Sequence, residues 1–179
     1  MTTIKVLDKS FELYLPFEKI EASIKEMAHK MNNELNDKEP LFISVLNGAF
    51  MFAGDLFKHL NFEAEISFVK MASYEGTSTT GKVKHLIGLN ESIKGRTVVI
   101  LEDIVDTGIS MDQILRQLNA LDPKEIKIAT LLFKPNALKK DITLDYVGLE
   151  IPNDFIVGYG LDYNGRGRNL KDIYSVVEE

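Results

Sequence analysis

Cysteine and tryptophan are both missing from this 179-residue chain. Without cysteine it has neither a disulfide framework nor a thiolate metal site. No apolar run approaches the roughly 20 residues that a membrane span needs. The start, Met1-Thr2-Thr3-Ile4-Lys5, lacks an apolar segment long enough for a secretion signal. A basic excess is missing too: 21 Lys and Arg stand against 27 Asp and Glu, for a net charge of −6. That balance argues against general nucleic-acid binding, where clustered cations supply most of the affinity. Together these absences fit a cytoplasmic protein with neither membrane nor nucleic acid as partner. What is there, 45% hydrophobic and 27% charged residues, is the composition of an ordinary globule rather than a disordered chain. The length favours one domain spanning 1–179. A net negative protein that binds polyanions needs local cations or a metal ion, which directs attention to the polar breaks between apolar runs.

Pro16 stands near the start of a helix in which Ile20, Ile24, Met27, Met31 and Leu35 recur at helical spacing. The cluster Asn36-Asp37-Lys38-Glu39-Pro40 ends it. Residues 41–46 read as a short buried strand, Asn47-Gly48 breaks it, and a second helix is expected over about 49–60. Residues 64–71 and 83–89 are strand-like and flank a polar loop, 73–81, too poor in apolar residues to pack in a core. Thr97-Val98-Val99-Ile100-Leu101 is nearly continuous apolar sequence, as for a parallel strand covered on both faces. After a polar turn, Ser110 is placed to cap a helix whose buried face is Ile114, Leu115, Leu118 and Leu121, closed by Asp122-Pro123. Residues 126–133 and 145–151 complete the strands. Strands alternating with helices indicate an α/β fold with a mainly parallel sheet flanked by helices. The tail at 154–179, rich in Gly, Asp, Tyr and Arg, is expected to join the N-terminus in a small flap built from about 1–15 and 152–179.

Ligands of open α/β sheets sit beyond the carboxyl ends of the strands. The richest such end is 98–110, where Glu102, Asp103 and Asp106 follow an apolar strand and lead through Thr107-Gly108 into a helix. Backbone N–H groups from Asp106 to Ser110 and the positive end of that helix can cradle a phosphate. The Thr107 and Ser110 hydroxyls add donors, and Gly108 admits close approach of the backbone. Glu102 and Asp103 have the character to accept hydrogen bonds from two ribose hydroxyls. A solvated acidic turn, or the acidic pocket of a receiver domain, would also follow an apolar strand. Two further strand ends carry polar residues: Leu46-Asn47-Gly48-Ala49, which alone reads as a plain strand-to-helix turn, and Phe133-Lys134-Pro135, whose Lys alone reads as a surface-seeking side chain.

The 98–110 segment resembles the phosphoribosyl-diphosphate-binding motif of type I phosphoribosyltransferases. Nearly the whole chain resembles the hypoxanthine-guanine branch of that family. The resemblance implies Mg²⁺ as cofactor, phosphoribosyl diphosphate and a purine base as substrates, and a homodimer or homotetramer. It implies that Glu102 and Asp103 hold the ribose hydroxyls and also lie at the metal. Asp106 would lie near the imidazole-ring nitrogen of the purine as the general base, and Asp106, Thr107, Gly108, Ile109 and Ser110 would hold the 5′-phosphate. Asn47 and Gly48 fall in the pyrophosphate loop, with a cis peptide expected at Leu46-Asn47. Many relatives carry Lys where this chain has Asn47, which removes a charge. Lys134 matches the Lys that donates to the six-position oxygen of the purine, a contact that favours hypoxanthine and guanine over adenine. The Arg that many relatives carry a few residues later is absent from Pro135-Asn136-Ala137-Leu138, with Lys139 and Lys140 the nearest cations.

The tail segment Phe155-Ile156-Val157-Gly158-Tyr159-Gly160-Leu161-Asp162-Tyr163-Asn164 resembles the family's base- and metal-binding stretch. Phe155 would stack on the purine, the Ile156 backbone would meet the base edge, Asp162 would bind Mg²⁺, and Arg168 would bind pyrophosphate. Alone, Phe155 would read as core packing and Asp162 as a turn residue. Ser73-Tyr74 matches the Ser-Tyr pair of a mobile lid that excludes water. Two rivals from other classes are a non-catalytic nucleotide sensor that binds an effector or RNA, and a receiver-domain phosphoacceptor. The first calls for a basic stripe or an added DNA-binding domain, and the sequence has neither.

Overall fold

Strands that are apolar without interruption have to be covered on both faces, and this requirement sets the architecture. The computed structural model describes residues 3–74 and 83–177. Along these the chain runs β1 (Thr3–Val6), β2 (Lys9–Leu15), α1 (Phe17–Leu35), β3 (Leu41–Leu46), α2 (Phe50–Phe57), β4 (Glu65–Tyr74) and β5 (Val83–Ile87). It continues through β6 (Thr97–Val105), α3 (Ile109–Asn119), β7 (Glu125–Phe133), β8 (Tyr146–Glu150), β9 (Ile156–Val157) and β10 (Ile173–Val176). The central sheet has six strands in the order β5-β4-β3-β6-β7-β8, all parallel except the β4–β5 pair. Ile43 of β3 faces Ser67 on one side and Ile100 on the other. From the β3/β6 pair the chain winds outward in both directions. The crevice beyond the carboxyl ends of β3 and β6 is therefore the topological switch point, where such sheets bind ligands.

Strand alternation divides the core into two layers. Phe42, Val99, Leu101 and Ala129 pack with Ile20, Ile24 and Met31 of α1 and with Phe52 and Leu56 of α2. Leu41, Ile43, Val98, Ile100 and Ile128 pack on the other face with Met111, Ile114 and Leu118 of α3. Each of these larger side chains contributes about 1.5–3 kcal/mol by leaving water. Pro16 gives α1 no side-chain cap. Instead, Asp172 accepts the Phe17 N–H at 2.7 Å from the far end of the chain, a carboxylate where the helix dipole favours one.

The two ends of the described chain meet in a second, antiparallel sheet of order β1-β2-β10-β9. Val6, Phe11, Val157 and Tyr174 form its small core. This sheet stands beside the carboxyl rim of the central one and positions the tail residues discussed below.

Several boundaries differ from those expected from the sequence. The second helix is shorter, Phe50–Phe57, because the chain turns at Lys58, whose N–H bonds to the Leu56 carbonyl. The strand expected to end at Leu101 continues to Val105, since Ile104 and Val105 pair with Leu132 and Phe133 of β7. Ser110 does not cap α3: Gly108 takes that place in a left-handed conformation, φ 76°, and Ser110 falls inside the first turn. Leu121 is exposed beyond the end of α3, and Met111 completes the buried face in its stead.

Candidate active site

The adjacent carboxyl ends of β3, β6 and β7 place the three polar breaks side by side on one rim. At the end of β6 the backbone carries Glu102 and Asp103 within the strand, then Asp106, Thr107 and Gly108 in the turn to α3. The left-handed Gly108 lets the helix begin at Ile109, with the Asp112 N–H closing the first turn on the Gly108 carbonyl at 2.9 Å. The N–H groups that precede it have no intrahelical acceptor. Thr107 Oγ1 reaches the Ile109 N–H at 3.4 Å, a long contact that leaves the donor available. Glu102, Ile104, Val105, Asp106, Thr107, Gly108, Ser110 and Met111 line a concavity of about 100 Å³. That is room enough for a phosphate group.

Glu102 and Asp103 are neighbouring, half-buried carboxyls. Burial, and after it the negative charge of Asp103, holds the Glu102 carboxyl well above the ordinary carboxylate range. Burial also raises Asp103, opposed by hydrogen bonds from Glu102 and the Ile104 N–H and by the positive charge of Arg168. The pair therefore favours retaining a proton until cations or donors arrive. Asp103 stands directly against the turn after β3: a Cβ on Gly48 would lie 1.6 Å from Asp103 Oδ2. Any larger residue there would have to push the Asp103 carboxylate aside. The Leu46–Asn47 peptide bond in the same turn is cis, as the resemblance implies, and Asn47 is exposed.

At the end of β7, Lys134 is not the surface-seeking side chain that its isolated sequence context suggests. It is only 8% exposed, its N–H bonds to the Val105 carbonyl at 3.0 Å, and its Nζ stands 3.4 Å from Asp106 Oδ2. The ion pair joins the residue expected at the purine oxygen to the residue expected at the purine ring nitrogen. A 3-10 turn, Pro135–Ala137, follows. The Lys139 N–H then bonds to the Thr107 carbonyl at 3.0 Å, while Lys140 Nζ turns to Asp112 at 3.6 Å. Lys140 thus sits beside the phosphate loop, engaged with α3.

The tail closes the other side. Phe155 is 44% exposed, so it is not core packing; its ring rests on Phe11 and Tyr163 at centroid distances of 6.2 and 5.7 Å. Ile156 enters β9 opposite Ser175. Arg168 donates to the Gly160 carbonyl at 2.7 Å and pairs with Asp162 Oδ1 at 2.6 Å. A guanidinium has five N–H donors, so others remain for an anion. Asp162 also accepts the Gly165 N–H at 2.7 Å, which gives it a turn role as well. Gly160 touches the turn after β3, since a Cβ there would lie 2.1 Å from the Gly48 carbonyl oxygen. Tyr159, which sequence reasoning did not single out, is buried and hydrogen-bonded to Asp55 of α2 at 2.5 Å. The only local signal of it was a bulky residue between two glycines.

Asp162, Glu102 and Asp103 do not close into one cage: among the described residues, no three His, Cys, Asp or Glu side chains are grouped to hold a metal ion. Ser73 and Tyr74 end β4, where Tyr74 pairs with Val83. The rest of the expected lid, residues 75–81, lies outside the described residues.

Comparison with known proteins bears on the family and the fold. Residues 12–164 match the family model of the phosphoribosyl transferase domain. The chain is 42% identical over 154 residues to a hypoxanthine-guanine phosphoribosyltransferase of Bacillus subtilis, covering 86% of each chain. It is 37% identical over 171 residues to a hypoxanthine-guanine-xanthine phosphoribosyltransferase of Tritrichomonas foetus, covering 95% of this chain and 93% of that one. Among solved structures, a hypoxanthine-guanine phosphoribosyltransferase of Bacillus anthracis superposes with a TM-score of 0.84 at 35% identity, covering 93% of this chain and 98% of that one.

Proposed function

The chain belongs to the phosphoribosyltransferase family, and we propose that it is a purine-salvage enzyme moving the 5-phosphoribosyl group of phosphoribosyl diphosphate onto hypoxanthine and guanine, with release of pyrophosphate. The observation that carries this reading is the Lys134–Asp106 pair at 3.4 Å beside the phosphate-sized concavity at the start of α3. It brings a purine-oxygen donor and a proton acceptor to the rim that can hold a sugar phosphate.

In this assignment the N–H groups and hydroxyls of Asp106, Thr107, Gly108, Ile109 and Ser110 hold the 5′-phosphate, and Glu102 and Asp103 orient the ribose through its hydroxyls. Phe155 stacks on the purine, the Ile156 backbone meets its edge, and Lys134 donates to the six-position oxygen. Adenine, with an amino group there, offers no acceptor. Asp106 takes up the proton as the ring nitrogen attacks the anomeric carbon. Gly48, Asn47 and Arg168 receive the departing pyrophosphate, with Arg168 using the N–H donors that Asp162 and Gly160 leave open. Ser73 and Tyr74, with the loop they begin, exclude water from the reacting centre.

Mg²⁺ fits the donors available. Asp162, Glu102 and Asp103 offer hard carboxylate oxygens, and their failure to close into a cage suits an ion that keeps waters and binds largely through a substrate's phosphates. When bound it supplies positive charge to the diphosphate. A cytoplasmic location belongs to the same reading. Among the described residues, no helix is long and apolar enough to cross a membrane. A homodimer or homotetramer is the proposed assembly, testable by sedimentation.

The deciding experiment measures pyrophosphate release with Mg²⁺ and donor while hypoxanthine, guanine, xanthine and adenine are supplied in turn. Release is expected with hypoxanthine and guanine, and not with adenine or with the donor alone. No turnover with any purine would overturn the proposal, and salt-sensitive RNA binding in its place would support a binding protein.

A further inference from the structure

Tyr159 presents a problem that packing alone does not answer. Its ring is 1% exposed and lies 6.2 Å from that of Phe17, a place where phenylalanine would serve. Yet the residue holds a left-handed backbone, φ 48°, uncommon for a bulky side chain, between Gly158 at 108° and Gly160 at 94°. The phenol donates to Asp55 Oδ2 at 2.5 Å, and Lys58 Nζ takes Asp55 Oδ1 at 2.5 Å. Asp55 lies on α2, the helix that leaves directly from the Gly48 turn.

One residue beyond this bond, Gly160 touches the Gly48 carbonyl, and its own carbonyl takes the Arg168 guanidinium. Gly48 in turn leaves no room beside Asp103. A displacement of Tyr159 therefore passes through Gly160 to both the pyrophosphate turn and Arg168. The purine side is held otherwise: Ile156 and Val157 are laddered to Ser175 and Tyr174, and the Lys134 N–H is bonded to Val105.

We propose that the Tyr159–Asp55 hydrogen bond is a positioning device that fixes the Gly48 turn in register with the loop carrying Asp162 and Arg168, and so sets affinity for the diphosphate of the donor without setting affinity for the purine. The inference rests on the assignment of Gly48, Asp162 and Arg168 to the diphosphate. The reading differs from simple core packing in what it predicts for the two substrates.

The test is steady-state kinetics of the full chain carrying Tyr159→Phe, with each substrate varied at saturation of the other. The KM for phosphoribosyl diphosphate, and for pyrophosphate in the reverse direction, should rise about tenfold, roughly the effect of losing one hydrogen bond to a charged group. The KM for hypoxanthine should stay within about twofold, as expected where its contacts are untouched. Asp55→Asn keeps an acceptor oxygen and should keep most of the parent donor KM, whereas Asp55→Ala carries the same test if Tyr159→Phe fails to fold. Asp55→Ala should match Tyr159→Phe, and the double variant should lose nothing further. Arg168→Ala separates the two levels of the argument. If it leaves the donor KM unchanged, the assignment of the diphosphate site is wrong and the proposal falls with it. If Arg168→Ala raises the donor KM while Tyr159→Phe shifts both substrates equally or neither, the assignment stands and Tyr159 is core packing alone.

Discussion

The loop at 102–110 and the tail at 155–172 both carry residues assigned to the phosphoribosyl donor, and they reach their positions by different routes. The loop is a strand end, a left-handed glycine and a helix start, contiguous in sequence and supported on one side by Lys134 and Lys139. Its anion-binding character follows from local geometry, because any helix N-terminus presents unpaired N–H groups. The tail is folded back through bonds to distant partners: Tyr159 to Asp55, Tyr163 to Asp8, Asp172 to Phe17. Its geometry exists only once the rest of the chain is in place. A substitution in the loop should therefore act where it is made, while one in the tail should spread to the turn after β3.

The largest effect is expected from breaking the tail at its point of contact. A Cβ in Gly160→Ala would meet the Gly48 carbonyl oxygen at 2.1 Å, backbone against backbone, at a φ of 94°. Neither partner can yield cheaply, so Arg168 and the Gly48 turn should separate. A misplacement on the order of 1 Å costs about 10²-fold, and kcat/KM for the donor should fall by at least that much. Pyrophosphate release measured against donor concentration checks this, with circular dichroism confirming the fold.

Asp106→Asn tests the loop in the opposite sense. It should lower kcat by roughly 10²-fold, the lower end of what a general base supplies, while donor binding changes little. Equal losses in kcat and donor affinity would count against a base and favour a role in phosphate binding. The Lys134 partner makes the variant informative, since its buried ammonium loses the negative charge 3.4 Å away and faces a neutral amide instead.

The same division governs what could be read from the sequence. The loop residues were legible because their chemistry is written in consecutive positions, and the two-sided apolar strands and the stripe of α1 were legible from periodicity. Ser110 was misplaced as a cap because serine is the commoner N-cap and a left-handed glycine two residues earlier leaves no mark in a propensity. The tail's residues were legible only through the family resemblance, and the bonds that hold them were not legible at all, for a physical reason. Tyr159 and Asp55 lie 104 residues apart and Phe17 and Asp172 155 residues apart, and no local pattern encodes such pairs. Nor does the sequence disclose that Gly48 lies against the Asp103 carboxylate.

Gly108→Ala should do less than Gly160→Ala although both glycines are left-handed. At Gly108, φ 76°, an added Cβ meets the Leu138 Cδ1 atom at 2.9 Å, the end of a flexible side chain rather than backbone. The remaining cost is the left-handed conformation itself, about 1–2 kcal/mol for a residue with a Cβ. The donor KM should rise no more than about tenfold, the equivalent of 1.4 kcal/mol, with kcat near the parent value. A collapse as deep as that of Gly160→Ala would mean that the loop, too, depends on long-range support.

The smallest effect concerns stability rather than turnover, and it isolates the loop without its ligands. Burial, then Asp103, raises the Glu102 carboxyl well above the ordinary value of 4.5. A raised carboxyl favours the folded state when protonated. Its stabilising contribution is complete below the unfolded value and is lost as pH rises through the folded one. Asp8 and Glu125, whose carboxyls hydrogen bonds from Tyr163 and Thr97 lower, work in the opposite sense, so the parent's pH profile alone is a sum of opposing slopes. The difference between parent and Glu102→Gln removes that sum. In buffer free of divalent cations and substrate, Tm should fall less steeply in the variant as pH is raised from 5 to 8. Added donor with Mg²⁺ should narrow the gap between the two proteins by binding the ionised pair of the parent. Parallel Tm profiles for parent and variant would show that the acidic pair is not strained in the free protein, and the contrast between a preformed loop and an assembled tail would then be stronger than drawn above.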